Sequence, residues 1–235
     1  MIAADAGTTW AKIIEQLPSK LMLSCRNYKA EYFIKEEKGC RYYVMPSQEL
    51  KNTGIKFDRA SGHMTLNLIK DKKGCENEVI ALIQGFRKNF SVKDAVILDM
   101  GSRDIKCAVF KNGRFKDLDW NTGCSSSTGA SIEMLLKFYN INPEDLVFSP
   151  EKYVITCGIF GFEKIMDDIS KGVSAKLAVS KFIHGIAFNA WNFAKRPNKI
   201  YLSGGFCENQ CFIKSLQQYC ETEPAGRFLL AEGLI

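Results

Sequence analysis

A chain of 235 residues with 46% hydrophobic and 11% aromatic side chains can bury a substantial core, as one large domain or two small ones. Its formal charge of +6 is mildly basic, but the runs 35–38 and 71–73 mix both signs, so no nucleic-acid partner is expected. The longest apolar stretch, 153–162, falls well short of the roughly 18 residues that a membrane span needs, and no membrane partner is expected either.

Taken in chain order, the apolar run 1–4 enters Asp5-Ala6-Gly7-Thr8-Thr9 and reads as a buried strand meeting a tight turn. Strand-like runs follow at 10–17, 21–25, 30–34 and 41–44, with a further one at 64–68. Val79, Ile80, Leu82, Ile83 and Phe86 recur with a period near 3.6 and predict a helix over 76–90. A second apolar run, 95–98, enters Asp99-Met100-Gly101-Ser102-Arg103-Asp104. Strands over 104–110 and 114–118, joined by Asn112-Gly113, form a hairpin. Helices are predicted over 128–139, from Asn142-Pro143, around 160–170 with Gly172 as its stop, over 174–194 and over 208–220. Strands at 153–156 and 199–202 lie between them. No linker interrupts the chain, and the division is expected near residue 94, giving lobes 1–94 and 95–235.

The nine cysteines are odd in number and irregularly spaced, which argues for thiols or a metal cluster in a reducing, cytoplasmic setting rather than a disulfide framework. No basic segment precedes the first apolar run, so no signal peptide is expected. Cys207 and Cys211 stand one helical turn apart without a nearby His or second Cys pair, and a structural role is favoured over zinc. Cys107 reads as core, and His184 as a packing residue inside a buried helix.

The pattern Asp-x-Gly-x-x-x-x-Lys occurs twice, from Asp5 to Lys12 and, 94 residues on, from Asp99 to Lys106. Glycine lets the backbone approach a ligand, and the N–H groups of such a turn can cradle phosphate oxygens. An aspartate there offers the hard oxygen that magnesium prefers, usually through its waters. Thr8, Thr9 and Ser102 add hydroxyls. Lys12 and Lys106, seven residues beyond their aspartates on the outgoing strand, are read as pointing away from the turn and are not assigned. Leu202-Ser203-Gly204-Gly205 at a strand-to-helix junction leaves room for a flat ring or ribose, and behind two Asp-Gly turns it reads as an adenosine site. The plainer alternative is that all three are ordinary strand–turn junctions.

The order of these three turns resembles the superfamily of actin, sugar kinases, acetate kinase and the heat-shock chaperone ATPases. Within it, the run Asn121-Thr-Gly-Cys124-Ser-Ser-Ser-Thr128-Gly129-Ala-Ser-Ile-Glu133 is similar to one in the ATPase activators of 2-hydroxyacyl-CoA dehydratases and benzoyl-CoA reductases. Cys157, after Val154-Ile155-Thr156 and 33 residues beyond Cys124, occupies the place of that family's second cysteine. Gly204-Gly205-x-x-x-Asn209 matches its adenosine turn, and Glu78 and Gly85 its preceding helix.

The resemblance implies an α/β chain of two ribonuclease-H-like lobes, the actin-like ATPase fold, with a nucleotide cleft between them. It implies ATP and Mg2+ as ligands, with Asp5 and Asp99 organising the metal. Gly7, Thr8, Thr9, Gly101 and Ser102 are then placed on the phosphates, and Gly204, Gly205 and Asn209 on the adenosine. It further implies one 4Fe-4S cluster per homodimer, held by Cys124 and Cys157 of both copies. A cluster of that kind needs four thiolates, which two cysteines per chain supply only in pairs of chains. Both cysteines are predicted at helix starts, where orphan N–H groups favour a thiolate. The implied activity is ATP hydrolysis coupled to electron transfer to an iron–sulfur dehydratase or reductase partner. The rival readings are a small-molecule kinase of the same superfamily, with Asp58 as candidate base, and a cluster-free nucleotide-dependent interaction protein.

The chain departs from the family at one telling place. Where members carry Gly-Gly-Gln-Asp it has Gly101-Ser102-Arg103-Asp104. Losing the glutamine removes a group able to orient water, and Arg103 is expected to clamp the γ-phosphate by charge instead. Leu82 stands for the family's His, Ser127 for its Gly, and the segment 224–233 is read as ending abruptly where the family has a longer closing helix, the mark of a divergent or shortened relative.

Overall fold

The computed structural model describes residues 1–18, 30–63, 65–121 and 128–235, which group into two compact units, Met1–Ser91 with Phe228–Ile235, and Val92–Arg227. In the first, β1 (Ile2–Ala6), β2 (Trp10–Gln16), β3 (Phe33–Glu37), β4 (Cys40–Pro46) and β5 (Arg59–Ser61) form one sheet in the order β3-β4-β2-β1-β5. β1, β2 and β4 are a consecutive antiparallel series, and β5 lies parallel to β1. Every residue of β1 is buried, as befits a central strand with both faces covered. Ile2, Ala4, Ala6, Ile13, Tyr43 and Met45 pack on one face, and Ile14, Tyr42 and Val44 join Phe228 and Ala231 in another cluster. α1 (Ser47–Asn52) follows β4. α2 (Glu78–Asn89) begins at Asn77, whose side chain accepts from Val79 N (2.8 Å), and buries Ala81, Leu82, Gly85 and Phe86. Against it lies α7 (Leu229–Glu232).

The second unit contains β6 (Ala95–Met100), β7 (Ile105–Lys111), β8 (Arg114–Asn121), α3 (Gly129–Phe138), α4 (Gly158–Ser170), α5 (Ala175–Phe193), β9 (Lys199–Gly204), α6 (Gln210–Leu216) and β10 (Glu221–Gly226). Its sheet runs β8-β7-β6-β9-β10, the first three strands antiparallel and the last two parallel to β6, as in a ribonuclease-H-like domain. Asn112 and Gly113, both at positive φ, make the expected two-residue turn between β7 and β8. α5 starts at Ser174, whose hydroxyl accepts from Leu177 N, and supplies Phe182, Ile183, Ile186 and Ala187 to the core. Among the described residues no helix is long and apolar enough to cross a membrane.

Several expected elements take another form. Residues 153–156 form no strand: Tyr153 N donates to Lys181 O (3.2 Å), and Asn189 Nδ2 to Ile155 O (2.8 Å), so α5 satisfies groups that a sheet would otherwise hold. The 64–68 run holds a 3₁₀ turn at Thr65–Asn67, with Met64 outside the described residues, as is the 21–25 run. A 3₁₀ turn, Ala30–Tyr32, precedes β3, and the element opened by Asn142-Pro143 is a single 3₁₀ turn, Pro143–Asp145. The 208–220 helix is shorter, because Gly205–Glu208 is a 3₁₀ turn and Asn209 caps α6 by accepting from Phe212 N (2.9 Å).

Candidate functional site

Each Asp-x-Gly turn closes a hairpin, and the hairpin changes the meaning of the lysines. Asp5 lies directly across the ladder from Lys12, and Asp99 from Lys106. Cross-strand partners share a face, so the seven-residue spacing brings each pair together rather than apart. Lys12 Nζ sits 2.8 Å from Asp5 Oδ2. Lys106, only 3% exposed, has Nζ 3.1 Å from Asp104 Oδ2 and 3.9 Å from Asp99 Oδ2, and 4.9 Å from the centroid of the Trp120 ring. The Trp120 indole N–H in turn donates to Asp104 Oδ2 (2.8 Å). The expectation that both lysines point away is therefore corrected: counting alternation through the turn had given the wrong parity.

The rows extend one strand further. Asp5 is in register with Ser61 on parallel β5, and Asp99 with Ser203 on parallel β9. A glycine follows each serine, Gly62 at φ +99° and Gly204 at φ +79°. A Cβ at Gly62 would lie 2.2 Å from Ala6 O, and one at Gly204 would lie 2.2 Å from Met100 O, so side-chain-bearing residues are excluded at both. The sequence pointed to Ser203-Gly204 but missed Ser61-Gly62. Its signal was available: a Ser-Gly pair after a short run, as in the second unit.

Each turn is also anchored by the start of a helix. Ser47, first residue of α1, donates from its hydroxyl to Gly7 O (2.7 Å) and from its N–H to Thr9 O (2.8 Å). In the second unit Gly129 N donates to Gly101 O (3.3 Å) and Ala130 N to Ser102 O (3.0 Å), while the Thr128 hydroxyl also donates to Ser102 O. With those carbonyls engaged, an anion at either turn meets N–H groups and hydroxyls rather than lone pairs. Thr8 and Arg103 are exposed, and Gly7, Thr9, Gly101 and Ser102 are partly so. Gly205 is exposed at the end of β9, while Asn209 spends its side-chain oxygen on the α6 start.

Cys124 lies outside the described residues. Cys157 is a half-buried free thiol at the N-cap of α4, flanked by exposed Val154, Ile159 and Phe160. Cys40, Cys107, Cys207, Cys211 and Cys220 are buried, and burial pushes the Cys107 and Cys207 thiols up to about 12, so these are packing groups. Among the described residues no group of three or more His, Cys, Asp or Glu could hold a metal ion. Of the two described thiols that are not buried, Cys75 is exposed away from any α-helix start, whereas Cys157 at the N-cap of α4 fits one thiolate position of a cluster. Asp58 is engaged by Lys70 Nζ (2.5 Å) and by the Ile2 N–H (2.7 Å), which leaves it poorly placed to act as a base. His184 Nδ1–H donates to Ser149 O, and Nε2 meets the Tyr219 hydroxyl, each at 2.8 Å.

No protein-family model and no curated protein matches the sequence. Solved structures do match the fold. The activator of the 2-hydroxyisocaproyl-CoA dehydratase from Clostridium difficile, with bound ADPNP, superposes with a TM-score of 0.73 at 16% identity, covering 100% of this chain and 92% of that one. Component A of the (R)-2-hydroxyglutaryl-CoA dehydratase of Acidaminococcus fermentans gives 0.68 at 17% identity, over 100% and 95%. The ethanolamine utilization protein EutJ from Carboxydothermus hydrogenoformans gives 0.51 at 12%, over 99% and 88%. The chain has the actin-like ATPase fold, in the form seen in dehydratase activators.

Proposed function

We propose that this protein is an ATP-hydrolysing activator that passes an electron from a dimer-bridging 4Fe-4S cluster to an iron–sulfur dehydratase or reductase acting on a CoA thioester. The observation that carries the reading is the twofold Lys–Asp–Ser row, each row beside a turn of N–H and hydroxyl groups. The fold shared with two dehydratase activators supports it, as does a half-exposed cysteine at a helix start.

In this reading Asp5 and Asp99 organise Mg2+, Gly7, Thr8, Thr9, Gly101 and Ser102 hold the phosphates of ATP, and Gly204 and Gly205 receive the adenosine. Asn209 fixes the helix behind that last turn. The orphaned Ser61 hydroxyl beside the Asp5 carboxylate fits a hydrated divalent cation at the first turn. Arg103, exposed on the second turn, offers the γ-phosphate a charge clamp. α3 starts on the carbonyls of Gly101 and Ser102, so a shift of that turn on loss of the γ-phosphate is passed to a helix backbone directly. Cys124 and Cys157, with their copies in a second chain, supply four thiolates in a cytoplasmic homodimer. The cluster, when bound, supplies a one-electron donor.

Anaerobic purification tests the reading. Brown protein is expected, with about four iron and four sulfide per dimer, and with magnesium-dependent ATP hydrolysis. Cys157→Ala should lose iron while keeping its fold. Iron-free wild type after anaerobic reconstitution, with Cys124→Ala and Cys157→Ala both unchanged from it, refutes the electron-transfer role. Phosphorylation of a sugar or carboxylate would instead indicate the kinase, and slow hydrolysis without iron the interaction protein.

A further inference from the structure

The two units repeat more than their aspartates. In each, a lysine, an aspartate and a serine stand in one cross-sheet row, and a positive-φ glycine after the serine presses on the carbonyl of the residue following the aspartate. In each, a 3₁₀ turn comes next, Thr65–Asn67 in the first unit and Gly205–Glu208 in the second. The units differ at the end of the row. Ser203 donates its hydroxyl to Gly226 O (3.2 Å) on β10, whereas β5 is the last strand of its sheet, flanked among the described residues by one bridge, Ala60 to Cys75, that does not reach Ser61. Ser61 is 0% exposed, and its Oγ has no hydrogen-bond partner among the described residues. A buried hydroxyl left so is costly, and in native proteins it signals a missing water, ion or ligand.

We propose that Ser61 is a further ligand-binding residue: its hydroxyl hydrogen-bonds to the water shell of the magnesium nucleotide held at Asp5. The proposal rests on the nucleotide reading above and adds a group to it. Magnesium keeps several of its waters when one carboxylate holds it, and those waters need acceptors. Ser61 supplies an acceptor one strand from Asp5, on the same face of the sheet. Gly62, by admitting the chain against Ala6, fixes the serine at that position. The second unit reserves the corresponding hydroxyl for β10, so the metal-water contact belongs to the first unit alone.

Isothermal calorimetry with ADPNP, in magnesium and in EDTA, tests this on the full chain. Ser61→Ala should bind ADPNP about tenfold more weakly in magnesium, and as wild type does in EDTA, with no loss of thermal stability without ligand. Ser61→Cys, nearly isosteric but a poorer acceptor, should show a smaller loss and serves if the alanine variant fails to fold. Equal affinities for wild type and both variants overturn the proposal while leaving the nucleotide reading in place. So does a loss of the same size with and without magnesium. Absence of magnesium-dependent ADPNP binding by wild type itself overturns both.

Discussion

Lys106 is the residue whose removal tests the site's electrostatics most directly. Its ammonium is 3% exposed and faces two carboxylates, Asp104 at 3.1 Å and Asp99 at 3.9 Å. Two unit charges 4 Å apart attract by about 4 kcal/mol at an effective dielectric of 20. Taking one partner from a buried pair costs about 3 to 5 kcal/mol, chiefly because the remaining charge is stranded. Lys106→Met keeps most of the volume and removes the charge, so about 4 kcal/mol is expected for the second unit. With a urea slope of about 2 kcal/mol/M, the midpoint should fall by about 2 M, followed by circular dichroism and by the fluorescence of Trp120. Adding Asp104→Asn should recover part of the loss, since the cycle then removes both ends of one pair. Lys199→Met is the control. Lys199 also meets two carboxylates, Glu221 and Glu223, at 2.7 and 2.8 Å, but in water, and its loss should hardly move the midpoint. If Lys106→Met costs no more than Lys199→Met, burial does not set the strength of the row and the reasoning fails.

Two more expectations concern packing and pH. Gly85→Ala would normally favour a helix by about 1 kcal/mol, yet a Cβ there would lie 1.8 Å from Leu229 O, so α2 and α7 must part and about 1 to 3 kcal/mol should be lost instead; a raised melting temperature would contradict this. Burial holds the His184 imidazole below its usual value, against the carbonyls of Ser149 and Glu151 which favour the charged form. The unfolded chain then takes the proton first, so this stability is complete above a pH of about 6.5 and declines as the pH falls from there toward the lowered folded value. His184→Gln should flatten that part of the melting-temperature profile, and an unchanged slope would contradict the assignment.

The sequence made the two Asp-x-Gly turns readable because a short apolar run, an aspartate and a glycine are local signals. The lysines were local too, yet their meaning depends on a turn resetting the alternation of faces, and only the ladder register reveals it. Ser61 was hidden for a different reason. β5 is three residues long, and what makes it a sheet strand is its pairing with distant β1, not its own composition. Tyr153-Val154-Ile155 shows the converse, since Tyr153 and Ile155 give backbone bonds to α5 and Val154 gives its carbonyl to Lys164 on α4. At Cys157 both the helix start and the thiol were foreseen, whereas the apolar side chains exposed around it become visible only once α4 is packed.

The return of Phe228–Ile235 to the first unit orders the events of synthesis. The second unit is one unbroken stretch and can close its core as soon as Arg227 has left the ribosome. The first cannot, because Phe228, Leu229, Leu230, Ala231 and Leu234 are all buried in it and are translated after the whole of the second unit. Nascent chains ordinarily finish their N-terminal part first. Here the second unit matures earlier, and the first waits with the apolar side of α2 uncovered until α7 emerges, which is when a holding chaperone has most to offer.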